Sequence, residues 1–436
     1  MRVLVAPDRY AALLTAGQAA EAIAAGWSAA AQSDELRILP LGNGGPGWLS
    51  VLEAGLRAAP AASPDGIPAS WSLSTHALTV ADPWGRAVPA ELLLVDSGQT
   101  SGQTSGQTSG QTSGQTLGQT SGQASMPTGR HSARTAYLEA SQILGGHTRR
   151  PTDDPGEATS RGLGSAILEA VAARAQRIVV GLTGALVLDA GFGLLAEIAG
   201  RPRPEMVGGA LALSALTPDD DLTLTTARAH LGGARLVALG DLSQPLLGLQ
   251  GVAATFGTAA GADPVQAQRI EAALGCAVDL ARRARPEPAD LISGAAVRVD
   301  RAPGAGAGAG IGFAFALLGA ELLDGAAGTA LELGLDDALD GVDLLVTGEA
   351  ELGWESLRGG PVTTAAAAAA RRGIPTVVVA GRVAAGRRET MAAGINGAYA
   401  VCASLAQWPD FAARPAAALA ERVAAVARTW SPHALA

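Results

Sequence analysis

Residues 342–361, VDLLVTGEAELGWESLRGGP, limit the possible folds more than any other stretch of the chain. Val342, Leu344, Leu345 and Val346 make a short apolar run of buried-strand type that stops at Thr347-Gly348-Glu349. The same unit, an apolar run emptying into a turn of glycines or acids, recurs along the chain. It appears at 2–6 before Pro7-Asp8, at 36–41 before Gly42-Asn43-Gly44-Gly45-Pro46-Gly47, at 177–182 before the loop of Asp189, at 235–241 ending on Asp241, and at 374–380. Helical patterns fall between these runs. Thr15 and Gln18 have capping-box spacing and open a helix over 16–31, and residues 159–174 and 414–430 also read as helices. Strands alternating with helices predict an α/β fold in three layers with a largely parallel sheet. In such sheets ligands sit beyond the carboxyl ends of the strands, so Asp8, Asp241 and Glu349 are candidate site carboxylates. Asp189, a lone acid among apolar residues, reads either as a site group or as a helix N-cap.

A chain of 436 residues with 48% hydrophobic content is long enough for two domains, each with its own core. Only 3% of the residues are aromatic, so Leu, Val, Ile and Ala must build that core by close backbone packing. The net charge of −9 excludes the dense basic footprint that nucleic acid or an anionic membrane requires, which leaves small molecules as the partner class. All 31 basic residues are Arg. Arginine can clamp an anion in a planar fork but cannot shuttle a proton as an amine, so lysine-based mechanisms are excluded. Cys276 and Cys402 fit no metal or redox spacing and read as small core residues, and the five histidines form no spaced cluster. The opening MRVLVAPD is too short an apolar run for a signal peptide, and nowhere do 18 uncharged apolar residues occur in a row. A cytoplasmic protein is expected.

Two glycine-rich turns precede helical patterns. Gly44, Gly45 and Gly47 could let backbone N–H groups converge on a phosphate, or could simply form a turn. The run GAGAGAGIG at 304–312 opens a helix expected to continue to Leu323, with its glycines serving either an anion or close helix packing. Residues 97–124 repeat SGQT, with Leu117 and Ala124 as the substitutions. Such a composition cannot bury enough apolar surface to offset ordering, so a solvated loop that is dispensable for folding is expected there.

Several of these turns resemble motifs of the type I glycerate kinases. Ala6-Pro7-Asp8 and Leu14 match the family's A-P-D-S-F-K-G-S-L, and Gly44, Gly45 and Gly47 match A-D-G-G-E-G-T. Glu139-Ala140-Ser141 echoes E-A-S, while Gly184, Asp189, Gly191 and Gly193 match G-I-G-G-S-A-T-N-D-G-G-A-G. Asp241 and the PLLG run match D-V-D-N-P-L-L-G, and Thr347, Gly348, Glu349, Ser356, Gly359 and Pro361 match the T-G-E-G-R segment. The charged positions differ. The family's lysines are Ala11, Ala260 and Gly360 here, its arginine is Glu351, and its Asp and Glu in the second motif are Asn43 and Pro46.

The resemblance implies a flavodoxin-like domain from residues 1–75 and 300–436, and a second α/β domain from 76–299 carrying the insert at 97–125. It also implies ATP and Mg²⁺ as cofactors and phosphorylation of D-glycerate as the reaction. On that basis Asp8, Asp189 and Glu349 are catalytic, Gly44, Gly45, Gly47, Gly184, Gly304 and Gly306 bind the cofactor, and Asp189 and Asp241 hold the metal. Three readings stand side by side: a glycerate kinase, a degenerate homologue that binds a ligand or partner without turnover, and a phosphotransferase acting on another small hydroxy acid. The oligomeric state is not read from the sequence.

Overall fold

The computed structural model of the chain describes residues 1–58, 71–97, 134–217, 220–284 and 298–432. The SGQT repeat after Ser97 lies outside them, as do His131 and His433. The strands in chain order are β1 (Arg2–Val5), β2 (Glu35–Ile38), β3 (Trp71–Ala81), β4 (Ala87–Ser97), β5 (Arg134–Glu139), β6 (Arg177–Gly181), β7 (Arg235–Gly240), β8 (Glu321–Asp324), β9 (Leu344–Thr347), β10 (Glu351–Leu352), β11 (Thr376–Ala380), β12 (Arg382–Val383) and β13 (Gly397–Ala400).

Five of them form a sheet in the order β13-β11-β9-β1-β2, with every neighbouring pair parallel. Renumbered within that sheet the order is 2-1-3-4-5, the flavodoxin-like arrangement, whose switch point lies between β1 and β9. Six others form a second sheet in strict chain order, β3 to β8. Its first two pairings are antiparallel and its last three parallel. β8 pairs with β7, so this sheet takes its last strand from beyond residue 300.

The side-chain period of two sorts each strand between two cores. In β1, Val3 and Val5 face one cluster with Ile23 and Trp27 of helix Ala16–Ala30 and Val423 of helix Pro415–Trp430. Leu4 and Ala6 face the other way, onto Trp48 and Leu52 of helix Trp48–Ala58 and Leu333 of helix Gly325–Leu333. That second cluster also receives Leu93, Tyr137, Val179 and Val237 from the six-stranded sheet. The opposite face of that sheet, with Leu92, Leu138, Val180 and Ala238, packs on helices Arg161–Ala172, Phe192–Ile198, Pro264–Ala284 and Ile311–Leu318. Each sheet is therefore covered on both faces, and the two share the helices between them. Small residues permit the tight layering. A Cβ on Gly26 would sit 2.3 Å from the carbonyl oxygen of Ala420.

Polar groups also cross the shared layer. Trp48 Nε1 donates to Thr329 Oγ1 at 2.9 Å, and Tyr137 donates to Glu332 at 2.7 Å. Arg177 grips the same Glu332 through two bonds of 2.6 and 2.9 Å. Buried charge of this kind is tolerable only when fully paired.

Capping residues set several boundaries. Thr15 and Gln18 close a reciprocal capping box at 3.2 and 3.0 Å, and the helix there ends at Ala30. The helix expected to run to Leu323 stops at Leu318, because Gly319 takes a left-handed φ of +85° and caps it. Residues 321–324 become β8 instead. Cys402 is buried as expected, whereas Cys276 is exposed, on the outer side of helix Pro264–Ala284.

Candidate active site

β1 and β9 lie side by side at the switch point, and each is followed by an acid. Ala6 N–H donates to Val346 O, and Asp8 N–H donates to Gly348 O, both at 2.8 Å, so the loops leave the sheet together. Thr347 is fully buried and its hydroxyl donates to Ala6 O at 2.6 Å. Gly348 is required by close approach, since a Cβ there would lie 2.2 Å from both the Tyr10 hydroxyl and Val379 O. Through that gap the Tyr10 hydroxyl donates to Val379 O and ties the β1 loop to β11. This backbone frame leaves Asp8 and Glu349 half-buried and near enough for the charge of one to act on the other.

Neither carboxylate is well solvated by the protein. Asp8 accepts one bond, from Arg9 N–H at 2.7 Å. Burial pushes its pKa up to about 6, opposed by that bond and by the Arg9 charge. Glu349 Oε2 accepts from Ser356 Oγ at 2.9 Å, while its Oε1 is buried with no partner. Burial, with the charges of Asp8 and Glu351 beside it, pushes Glu349 up to about 8 against the Ser356 bond. Two interacting carboxyls whose values are driven apart can hold one proton between them near neutral pH. Ser356 suits that state. Its oxygen also lies 3.1 Å from Glu351 O, so its single hydrogen can go there when Glu349 is protonated.

The carboxyl end of the six-stranded sheet looks different. Asp189 is fully buried after β6. Its Oδ2 accepts from Ser160 N–H at 2.7 Å, Ser160 Oγ at 2.9 Å and Gly193 N–H at 3.2 Å, and its Oδ1 from Gly191 N–H at 2.9 Å. Both oxygens are thus engaged ahead of helix Phe192–Ile198, whose N-cap is Gly191. Asp241, after β7, is exposed and accepts only from Ser243, through N–H at 2.8 Å and Oγ at 2.7 Å. Among the described residues there is no group of three or more His, Cys, Asp or Glu that could hold a metal ion. Asp189 and Asp241, the acids expected to hold the metal, thus stand in different surroundings. One has its oxygens taken, and the other is a lone exposed acid.

In the first glycine turn the amide of Gly47 is engaged. Gly47 N–H donates to Glu139 Oε1 at 3.2 Å and Leu49 N–H to Glu139 Oε2 at 3.4 Å, so a buried carboxylate at the end of β5 occupies the N-terminus of helix Trp48–Ala58. Ser141 Oγ adds a bond of 2.5 Å to Glu139. Where an incoming phosphate was expected, the chain supplies its own anion. Gly44 and Gly181 pack backbone to backbone, a Cβ on Gly181 lying 2.3 Å from Gly44 O, while Gly45 meets Thr183 and Gly184 meets Pro46. In the run at 304–312, the amides of Gly304, Gly306 and Gly310 donate to Leu242 O, Gln244 O and Gly306 O. Close packing is one use of this run, since a Cβ on Gly306 or Gly312 would lie 2.5 or 2.0 Å from a backbone oxygen. Glu139 was visible in the sequence only as an echo of E-A-S, although it too is an acid closing a strand run.

A model of the glycerate kinase family matches residues 3–431. This chain belongs to the glycerate kinase family. An uncharacterized protein of Mycobacterium bovis is 31% identical over 408 residues, covering 92% of this chain and 84% of that protein. The glycerate 2-kinase of Escherichia coli K12 is 25% identical, covering 93% and 91%. In fold, the chain is similar to a Salmonella typhimurium LT2 crystal structure assigned as glycerate kinase 2, with a TM-score of 0.70, 23% identity and 98% of each chain covered. Against the glycerate kinase pattern, two departures acquire a structural meaning. Glu351, at the position of the pattern's arginine, pairs with Arg382 across β10 and β12. Ala11, at the position of a lysine, holds a left-handed φ of +50° in the turn closed by Tyr10 and Leu14.

Proposed function

We propose that this chain phosphorylates a small hydroxy acid, D-glycerate or a close relative, using ATP, with Asp8 and Glu349 as the acid–base pair. The observation that carries the reading is the juxtaposition of these two carboxyls at the β1/β9 switch point, one pushed up to about 6 and the other to about 8. Near pH 7 Asp8 is the ionised partner and can accept the proton of a hydroxyl, since a base works best with a pKa near the working pH. Glu349 keeps its proton and can donate a hydrogen bond to developing negative charge. ATP would supply the phosphoryl group, and catalysis of such a transfer is mostly positioning and charge neutralisation. With no lysine in the chain, arginines and backbone N–H groups are the available neutralisers.

The non-catalytic reading is favoured by one specific observation, the Glu139 carboxylate at the N-terminus of helix Trp48–Ala58. A single assay separates the two: purified protein with Mg-ATP and D-glycerate, followed by ADP release. Turnover of about 1 to 10³ s⁻¹ removes the degenerate reading. Undetectable turnover with folded protein on D-glycerate and on other 2- and 3-carbon hydroxy acids removes the kinase reading. We take the setting to be the cytoplasm, on the strength of the acidic composition, and no described helix is long and apolar enough to cross a membrane. As domains we propose the two sheets with their flanking helices, dividing after residue 58 and again at β8.

A further inference from the structure

Tyr10 is a fully buried phenol on the loop of Asp8, and its hydrogen bond interrupts the five-stranded sheet at one rung. In the register of β9 with β11, Leu345 pairs with Thr376 and Thr347 with Val378, and Leu345 N–H donates to Pro375 O at 3.0 Å. A parallel ladder repeats every second residue, which assigns Val379 O to Glu349 N–H. The return bond of that rung is made, from Gly381 N–H to Glu349 O at 3.1 Å. The forward bond is not. Val379 O is taken by the Tyr10 hydroxyl, and Glu349 N–H makes no hydrogen bond among the described residues.

The phenol is fixed in place. Tyr10 N–H donates to Leu14 O at 2.8 Å and Leu13 N–H to Tyr10 O at 2.9 Å, which pins its backbone. Its ring lies 6.3 Å from that of Phe411 on helix Trp408–Ala413, tilted by 58°. The hydroxyl rests against Gly348, the residue before Glu349, and Gly348 O accepts from Asp8 N–H. It therefore lies where the loops of the two acids meet. Burial, with the charges of Glu349 and Asp8, holds its pKa well above the ordinary tyrosine value, so it remains a donor while the pair titrates. The pattern A-P-D-S-F-K has Phe at this position, so the ring is shared with the family pattern and the hydroxyl belongs to this chain.

We propose that Tyr10 is a positioning residue of the acid pair: by taking the carbonyl that the ladder assigns to Glu349, its hydroxyl keeps Glu349 out of the β9–β11 ladder and beside Asp8. The proposal rests on the kinase reading for the use of the pair in turnover and not for the placement of Glu349. Without the hydroxyl, Glu349 N–H can close on Val379 O and draw Glu349 away from Asp8. The other charges acting on the two acids are Arg9, beside Asp8, and Glu351 on β10, which is paired with Arg382 of β12. Exchange of Tyr10 for Phe leaves these three residues unchanged.

The test is a pH titration of the full chain, labelled at its glutamate carboxyls and followed by NMR, in wild type, Tyr10→Phe and Tyr137→Phe. The Glu349 signal is the one missing from Glu349→Gln. Tyr137→Phe removes an equally buried hydroxyl, which donates to Glu332 at 2.7 Å, and so controls for loosening alone. Glu349 is expected to titrate at about 8 in wild type and in Tyr137→Phe, and at least about one pH unit lower in Tyr10→Phe, because the two acids part. An unmoved Glu349 in Tyr10→Phe, an ordinary value already in wild type, or an equal shift in Tyr137→Phe overturns the proposal. Should Tyr10→Phe fail to fold, hydrogen exchange of wild type decides. The Glu349 amide should then exchange about tenfold or more faster than that of Gly381, and equal protection overturns the proposal. The ADP-release assay keeps the two claims apart. A moved Glu349 without wild-type turnover leaves the placement and removes the kinase, whereas wild-type turnover with Glu349 unmoved in Tyr10→Phe does the reverse.

Discussion

Asp8 with Glu349, and Asp189 with Glu139, are acids of one sequence type, each closing a strand run, yet the protein treats them in opposite ways. Asp189 meets four donors from Ser160, Gly191 and Gly193, and Glu139 meets the amides of Gly47 and Leu49 and the Ser141 hydroxyl. Asp8 meets one amide and Glu349 one hydroxyl. Burial raises the pKa of all four, but only around Asp189 and Glu139 do several donors converge to oppose it. The difference teaches that a strand-end acid becomes structural when a helix start or glycine turn folds over it. It stays chemically available when the neighbouring loops only frame it.

The contrast breaks most visibly at the enclosed acid. Asp189→Ala leaves buried donors of Ser160, Gly191 and Gly193 unanswered and is expected to cost about 3 to 5 kcal/mol, read as a lower midpoint in urea denaturation. A loss of turnover without any loss of stability would instead make Asp189 a site group. Asp8→Asn should do the opposite, lowering turnover about 10²- to 10⁴-fold while the melting temperature holds or rises. In wild type the pH dependence of turnover should be bell-shaped, with limbs near 6 and 8 that belong to the coupled pair. A flat profile across that range would remove the pair from the chemistry.

Stability offers a subtler test. For Glu349 the folded value of about 8 lies above the ordinary 4.5, so the native state holds a proton that the unfolded chain has lost. Its contribution to stability therefore falls as pH rises from 4.5 to about 8. Glu349→Gln, which cannot ionise, should be more stable than wild type by about 1 to 3 kcal/mol at pH 9 and nearly equal to it at pH 4. Thermal unfolding at the two pH values reads this directly, and a variant less stable at pH 9 would contradict the unsolvated state of Glu349. The smallest effect belongs to Glu139→Gln, which keeps an acceptor at the N-terminus of helix Trp48–Ala58 but loses the charge. Burial holds Glu139 above the ordinary carboxyl range, so losing the charge also removes a desolvation cost that offsets the lost helix-end attraction, and a net change of less than about 1 kcal/mol is expected. A gain in nucleotide affinity on that change would show that Glu139 competes with phosphate there.

Much of the fold was legible in the residues themselves. Apolar runs of four to six residues announced β1, β6, β7, β9 and β11, and Thr15 with Gln18 announced the first helix, because strand burial and capping are local in sequence. The end of a helix at Gly319 and the strand that follows were missed, since an apolar run alone does not separate a helix from a strand. The motifs after β1, β6, β7 and β9 did not tell which of their acids packing would engage, because the donors that answer an acid come from elsewhere in the chain.

What the sequence determined by itself was the α/β alternation, the acid or glycine turn after each run, and a chemistry without lysine. What only the tertiary structure decided was the division of those turns between two sheets that share a helical layer, and with it the fate of each acid. The donors that answer Asp189 and Glu139 include Ser160 and Gly47, 29 and 92 residues away. Hydrogen bonding and desolvation depend on distance in space, and that distance is set by how the layers pack.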